Sequence, residues 1–404
     1  MRNVIFAAPF PLQTTMRFAR AAARIPDVRL LGIVQELPQG DDRALFADVI
    51  RVADGLDTAQ LVDAAKTLRY RHGNIHRVLG ILEPLQVQLA EVRQALEVPG
   101  TDPQTADLFR DKARMKDELR KHGLPCARHA LLRSWADAEA FVAQVGLPIV
   151  LKPPAGMGCK ATWRINGADE LRAALRSLHA GPENPALAEE FLRGREYSFE
   201  TITIGGEVQW TSASRYLPAP LEVMETPWIQ WCVLMPRDLD GPEFAGVPEL
   251  GRRTVQALGL DTGFTHMEWF RRDDGSLAIG EIAARPPGAN IVLCNSFVHD
   301  ADMYRAWARA VIDGAYDGPF ERKYAVGCAF LRGVGRGRVV RVAGVDEAQA
   351  KMGKLVVDAK LPARGSFRSD SYEGDGHVIV RDPDVEVVKA ALKTVIETIQ
   401  IEYA

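Results

Sequence analysis

The chain has 404 residues, of which 47% are hydrophobic and 25% charged, an ordinary globular balance with enough length for two or three domains. Its formal net charge of -3 gives no electrostatic reason to expect nucleic acid or an anionic membrane as partner, and no stretch approaches the roughly 20 apolar residues of a bilayer-crossing helix. The five cysteines, Cys126, Cys159, Cys232, Cys294 and Cys328, are odd in number and never form a CxxC pair, so neither a disulfide framework nor a zinc site is expected and a reducing cytoplasm fits best.

The opening MRNVIFAAPFPLQ is interrupted by Pro9 and Pro11 and reads as a first strand, not a signal peptide. VIFAA, the helical TTMRFARAAARI and the apolar VRLLGIV give the strand, helix, strand order of a parallel α/β unit. Helical LVDAAKTLRYR, strand-like HRVLGIL and helical LQVQLAEVRQAL extend it to about residue 98, where VPGTDPQ supplies a boundary. LFRDKARMKDELRKHGLP then predicts one amphipathic helix closed by Gly123 and Pro125, with Leu108, Met115 and Leu119 on its buried face.

LPIVLK predicts a strand ending at Lys152, followed by the loop PPAGMG, the strand ATWRI and the helix ADELRAALRSLHA. Gly156 and Gly158 leave the loop backbone free to fold over an anion such as phosphate. The GK[ST] ending of a Walker A loop is absent, and a tight turn explains the same glycines. GVGRGR near residue 335 has no following helix and reads as a turn.

ALAEEFL, REYSFETITI and EVQWTSASRY read as strands. Within LAEEFLRGREYSFE, Glu189, Glu190 and Glu196 flank Phe191 and Leu192, a stretch able to offer backbone groups to a base and a carboxylate to ribose hydroxyls; an edge strand with a turn at Gly194 is the structural alternative. The helix ELGRRTVQALGL precedes FTHMEWFRRDDGSLAIGEIAARPPG, a hairpin with Glu268 and Glu281 in its two apolar strands. With the turn centred on Asp274 and Gly275 and Asp273 facing Ser276, Glu268 falls opposite Glu281 and Ala283 opposite His266. Opposed carboxylates suit Mg²⁺, which takes few protein ligands and completes its octahedron with water and phosphate oxygens. A solvated strand face, or neutralisation by Arg285 in a structural ion pair, would account for the pair equally. VGCAFLRG, RVVRVAG and HVIVR then read as strands and VEVVKAALKTVIETI as a closing helix.

Taken in this order, the DKARMKDELRKHGLP helix, the LPIVLKPPAGMG loop, AEEFLRGREYSFE, HMEWF and GEIAARPPG resemble the ATP-grasp superfamily, in particular its carboxylate-amine ligases, over nearly the whole chain. The resemblance implies a mixed α/β and α+β fold. It consists of a Rossmann-like α/β domain over 1–100, an ATP-grasp region over 101–320 with a flap subdomain at about 125–188, and a C-terminal lid domain over 321–404. It further implies that Lys112 and Lys152 contact ATP phosphates beneath a flap carrying Gly156 and Gly158. Glu190 and Leu192 would meet adenine through their backbones, and Glu196 would hold the ribose. Glu268 and Glu281 would bind Mg²⁺ or Mn²⁺, and Arg285 would face the transferred phosphoryl group or a substrate carboxylate.

The reaction so implied joins a small carboxylate to an amine through an acylphosphate, releasing ADP and phosphate, in a cytoplasmic protein for which a homodimer is one open arrangement. A carboxylating or purine-pathway enzyme of the same superfamily, or a nucleotide-binding regulatory module without turnover, stays open as an alternative. One departure is Ala283, where many members carry Asn two residues after the second metal glutamate. The acceptor is expected near SRYLPAPLEVMETPWIQWCVLMP, with Arg215, Trp228 and Trp231, and Cys159 is assigned to packing.

Overall fold

Short apolar runs spaced by helices build the first sheet. The computed structural model describes residues 1–156, 161–226 and 229–404. Strands β1 (Arg2–Ala7), β2 (Val28–Val34), β3 (Asp48–Arg51) and β4 (Ile75–Leu79) lie in the order β3-β2-β1-β4, every pair parallel. Parallel strands need both faces covered, and β1 meets that demand by period-two alternation. Val4 and Phe6 point into a core with Phe18, while Ile5 and Ala7 point into one with Leu61, Leu68 and Leu89. The first core also holds Trp307 of helix Met303–Asp313 and Trp210 and Phe264 of the large sheet, so the N-terminal unit is packed onto the rest of the chain.

A second, antiparallel sheet contains β5 (His129–Leu132), β6 (Ile149–Lys152), β7 (Trp163–Ile165) and β8 (Ala186–Glu190) in the order β5-β8-β6-β7. Helices Trp135–Val145 and Ala168–Ser177 cover it around Leu132, Phe141, Ile149 and Leu171. The first of these helices starts in a capping box between Ser134 and Asp137. β8 is an inner strand here, so the edge-strand alternative for AEEFL does not hold.

The remaining strands are β9 (Gly194–Ile204), β10 (Glu207–Leu217), β11 (Trp231–Met235), β12 (Gly263–Arg272), β13 (Leu277–Ala283), β14 (Ala325–Leu331), β15 (Val339–Ala343), β16 (Val356–Lys360), β17 (Gly376–Asp382) and β18 (Gln400–Tyr403). Eight of them form one sheet, β13-β12-β9-β10-β11-β14-β17-β16, and β15 pairs with β18. The large sheet thus takes strands from both sides of residue 320. Its edge strand β13 is covered: the Ile279 N–H donates to the Pro125 carbonyl at 2.8 Å, and Cys126 bridges Ile279 in parallel. No helix among the described residues is long and apolar enough to cross a membrane.

Two local expectations are corrected. The single helix expected over LFRDKARMKDELRKHG is two, Pro103–Arg110 and Lys112–Lys121, divided at Asp111. Asp111 is extended (φ -89°, ψ 108°) and its carboxylate accepts from the Ala113 and Arg114 N–H groups at 2.9 and 3.0 Å. A side chain that can cap competes with helix continuation, and here the cap wins. The hairpin turn is also one residue wider than expected, spanning Asp273, Asp274 and Gly275. The Arg272 N–H donates to Ser276, not Asp273 to its expected partner, and Arg271 faces Leu277.

Packing of helix Val247–Ala257 against β9 depends on Gly251, where an added Cβ would lie 2.2 Å from Phe199 Cε1. Gly251→Ala should therefore lower unfolding free energy by about 1–3 kcal/mol, the usual cost of overpacking, despite alanine's better helix propensity. Urea denaturation measures this; an unchanged or higher midpoint would contradict it.

Candidate active site

The cleft begins with alternation in three neighbouring strands. Along β9 the sequence EYSFE turns Tyr197 and Phe199 into the core and places Glu196, Ser198 and Glu200 on the opposite face. β12 adds His266 and Glu268 to that face, in register with Glu200 and Ser198. β13 adds Glu281, opposite Glu268, and Ala283, opposite His266.

The expected pairing is reached by a different route, because a bulge at Gly280 offsets the wider turn and restores the register between Trp269 and Glu268. Glu268 and Glu281 remain 28% and 30% exposed, open to a ligand. Burial, then the charge of Glu281, pushes the Glu268 carboxyl up. Glu196 is pushed well above the usual carboxylate range by burial and by both of these glutamates.

Lysines face this acidic strip. Lys112 Nζ lies 3.3 Å from Glu281 Oε2, and Lys152 Nζ lies 3.8 Å from the same atom. Burial works to raise the Glu281 carboxyl, but Lys112, Lys152 and Lys116 outweigh it and hold the group at about 2. The break at Asp111 makes Lys112 the first helical residue, where its N–H donates to the Pro154 carbonyl at 3.1 Å. Lys112 Nζ and the Arg110 guanidinium each donate to the Gly156 carbonyl at 3.1 Å, so the loop after Lys152 is tied to the helix break. Gly158 and Cys159 of that loop, and Trp228 of the expected acceptor segment, lie outside the described residues.

Glu189 joins the lysines from below. Its carboxylate is 2.7 Å from Lys116 and 2.9 Å from Lys152. Burial opposes ionisation of Glu189, yet the two ammonium groups bring it down to about 2; burial lowers Lys152 in turn, and Glu189 and Glu281 more than reverse this.

Arg285 does not pair with the two opposed glutamates. β13 ends at Ala283, so period-two reasoning no longer applies at residue 285, and the guanidinium turns to Glu83 of the N-terminal unit, Nε to Oε2 at 2.6 Å. Burial lowers the Arg285 pKa and Glu83 more than restores it, leaving it raised. Glu190 is likewise partly committed: its N–H donates to the Arg128 carbonyl at 2.9 Å, and its carboxylate takes the Arg128 N–H and Nε at 2.9 and 2.8 Å. That N–H is thus removed from the backbone groups expected to meet adenine; Leu192, half-buried, lies in the turn that follows.

Sequence reasoning missed Lys116, Glu83, Arg110, Glu200 and Tyr216. Glu200 is fully buried and accepts from His266 Nδ1 at 3.0 Å, while His266 Nε2 lies 3.3 Å from the Tyr216 hydroxyl and 3.9 Å from Glu268 Oε1. The alternation of EYSFE was the available signal for Glu200. Nothing local announces Glu83, which is 202 positions from its partner.

A family model described as an ATP-grasp domain matches residues 117–291. Residues 117–291 are an ATP-grasp domain. The chain is 26% identical over 251 residues to an L-arginine-specific L-amino acid ligase of Bacillus subtilis, an alignment covering 61% of this chain and 60% of that protein. In fold, the ATP-grasp domain and its flanks match the crystal structure of an L-amino acid ligase from Bacillus licheniformis with a TM-score of 0.84 at 18% identity, covering 100% of this chain and 99% of the other. An ADP complex of N5-carboxyaminoimidazole synthetase from Staphylococcus aureus matches with a TM-score of 0.73 at 15% identity, over 98% and 97% of the two chains. The fold expected from the sequence is the fold observed.

Glu189→Gln would leave Lys116 and Lys152 without their shared counter-ion, and breaking such a buried pair costs about 3–5 kcal/mol at neutral pH. Because the folded Glu189 value lies near 2, below its usual 4.5, its contribution is complete above about 4.5 and fades as pH falls through about 2. Denaturant titrations of both proteins should show a gap at pH 7 that narrows towards pH 3. A gap absent at pH 7 would contradict the pairing.

Proposed function

We propose that this chain is an ATP-dependent carboxylate-amine ligase, acting in the cytoplasm on a small carboxylate and an amine. The observation that carries the reading is the opposed pair Glu268 and Glu281 on one open strand face with Lys112 and Lys152 beside it. Two carboxylates, one of them raised by burial and then by the charge of the other, gain from a divalent cation, and a pair of oxygen donors open to the cleft fits Mg²⁺ or Mn²⁺. Among the described residues no group of three or more His, Cys, Asp or Glu side chains has metal-site geometry, which agrees with a cation that takes two protein ligands and finds the rest on phosphate and water.

In this reading Glu268 and Glu281 would hold the cation, which would neutralise phosphate charge when bound. Lys112 and Lys152 neutralise the phosphates directly, Glu189 fixing the second of them. Leu192 and Glu190 border the base and Glu196 the ribose, and the sheet over about 125–188 is the flap whose loop, with Gly156, covers the phosphates. Arg285, oriented by Glu83, takes the substrate carboxylate or the moving phosphoryl group. A carboxylate oxygen attacks the γ-phosphorus and ADP leaves with the broken P–O bond pair. The amine nitrogen then attacks the acyl carbon, phosphate departs and the nitrogen loses a proton. The chain's contribution is position, charge and exclusion of water from the acylphosphate.

The L-amino acid ligase relatives favour an amino acid among the substrates. The alignment with the first of these spans 60% of its length, so substrate choice is read from the resemblance of the site and not transferred whole.

Glu268→Gln and Glu281→Gln keep side-chain volume and remove charge, so each should lower kcat by about a hundredfold or more with melting behaviour retained. Near-normal turnover in both would contradict the assignment. With wild-type protein and ¹⁸O in the substrate carboxylate, ADP and phosphate should appear together and the phosphate should carry one labelled oxygen. AMP and pyrophosphate would mean adenylation, and strict dependence on bicarbonate would mean a carboxylating enzyme.

A further inference from the structure

Lys116 has no part in the chemistry above, yet it is the cation most deeply placed in the site, with a side chain 0% exposed. It stands one helical turn after Lys112 and so shares its face, between the apolar Met115 and Leu119. Burying an ammonium is costly unless it is paired, and Lys116 Nζ forms an ion pair with Glu189 Oε1 at 2.7 Å and donates a hydrogen bond to the Gly280 carbonyl at 2.6 Å. An apolar residue would fill this position more cheaply, which raises the question of what the charge secures.

The answer lies in the second acceptor. Gly280 is the extra residue of the bulge in β13, the residue without an opposite number in β12. From Arg271 and Leu277 to Trp269 and Ile279 the strands run in one register, and only the bulge brings Glu281 opposite Glu268. Continued without it, that register would put Gly280 opposite Glu268 and turn Glu281 to the other face. A larger residue would be crowded there, since an added Cβ would lie 3.1 Å from Phe270 Cε2 and 3.2 Å from the Glu268 carbonyl. The segment around the Lys112–Lys121 helix clamps the bulge twice, Ile279 through its N–H to Pro125 and Gly280 through its carbonyl to Lys116.

We propose that Lys116 is a positioning residue: it holds the Gly280 bulge so that Glu281 faces Glu268, and through Glu189 it holds Lys152 over the same cleft. The inference rests on the cation role proposed for Glu281. It makes one buried ammonium the common support of the cation-binding and phosphate-binding sides of the site.

The test is Mn²⁺ binding to the nucleotide-free protein, followed by electron paramagnetic resonance titration for wild type, Lys116→Met, Glu281→Gln and the double variant, with thermal melts alongside. Loss of a residue that orients a metal ligand lowers metal affinity about 10–100-fold. Lys116→Met should weaken Mn²⁺ by at least about tenfold, Glu281→Gln likewise, and the double variant should bind no more weakly than Glu281→Gln alone. Wild-type affinity in folded Lys116→Met, or additive losses in the double variant, would overturn the proposal. Should Lys116→Met not fold, Lys116→Gln carries the same expectation. Failure of both to fold would also overturn it, making Lys116 a folding determinant instead. Wild-type affinity in Glu281→Gln would sink the cation reading itself, an outcome distinct from a failure confined to Lys116.

Discussion

Two carboxylates set face to face on neighbouring strands is the constraint from which the rest of the cleft follows. Like charges at opposed sheet positions repel, and the strain is visible in opposite directions: Glu281 is drawn down by lysines, while Glu268 is pushed up by burial and by Glu281. Lys112 and Lys152 relieve one member of the pair, while the other stays raised. The helix break at Asp111, the end of β6 at Lys152 and the bulge at Gly280 are the three departures from regular structure that deliver these charges to one place. Each breaks a local rule at the site and is supported from elsewhere.

That support is apolar beneath and ionic around. Met267, Trp269, Ile279 and Ile282 anchor the reverse faces of β12 and β13 in a core with Tyr197 and Phe199, and Tyr197 stacks on Trp269 at 4.5 Å. A face fixed in this way cannot slip by one residue without exposing that core, so the carboxylates are held in register by packing as well as by hydrogen bonds. The N-terminal sheet contributes through Glu83, which orients Arg285 from outside the ATP-grasp domain. The flanking sheet contributes through Glu189, whose position in β8 lets one carboxylate serve two lysines.

Much of this was legible in the sequence because it is periodic. Alternation in HMEWF and LAIGEIA with an Asp-Gly turn between them led to the Glu268 and Glu281 pairing, and a strand ending in Lys152 needed only an apolar run and a glycine loop. The pairing was reached by an error that compensated itself, since a turn one residue too tight stood in for a bulge that no short-range pattern announces. What stayed hidden is non-local. Glu83 meets Arg285 across 202 positions, and Lys116 meets Gly280 across 164, distances at which only the folded chain supplies the partner. The single helix expected over residues 108–122 failed for a different reason: Asp111 looked like one more polar residue on an amphipathic face, while its carboxylate was capping the next turn.

The central claim is that a cation and nucleotide phosphates occupy the space between Glu268, Glu281, Lys112 and Lys152. A crystal structure with Mg²⁺ and a non-hydrolysable ATP analogue tests it most directly. The account predicts one Mg²⁺ at about 2.0–2.1 Å from an oxygen of each glutamate, the distance this ion requires, with both lysine ammonium groups against phosphate oxygens. A nucleotide bound elsewhere, or an ion that leaves either glutamate unliganded, would contradict it.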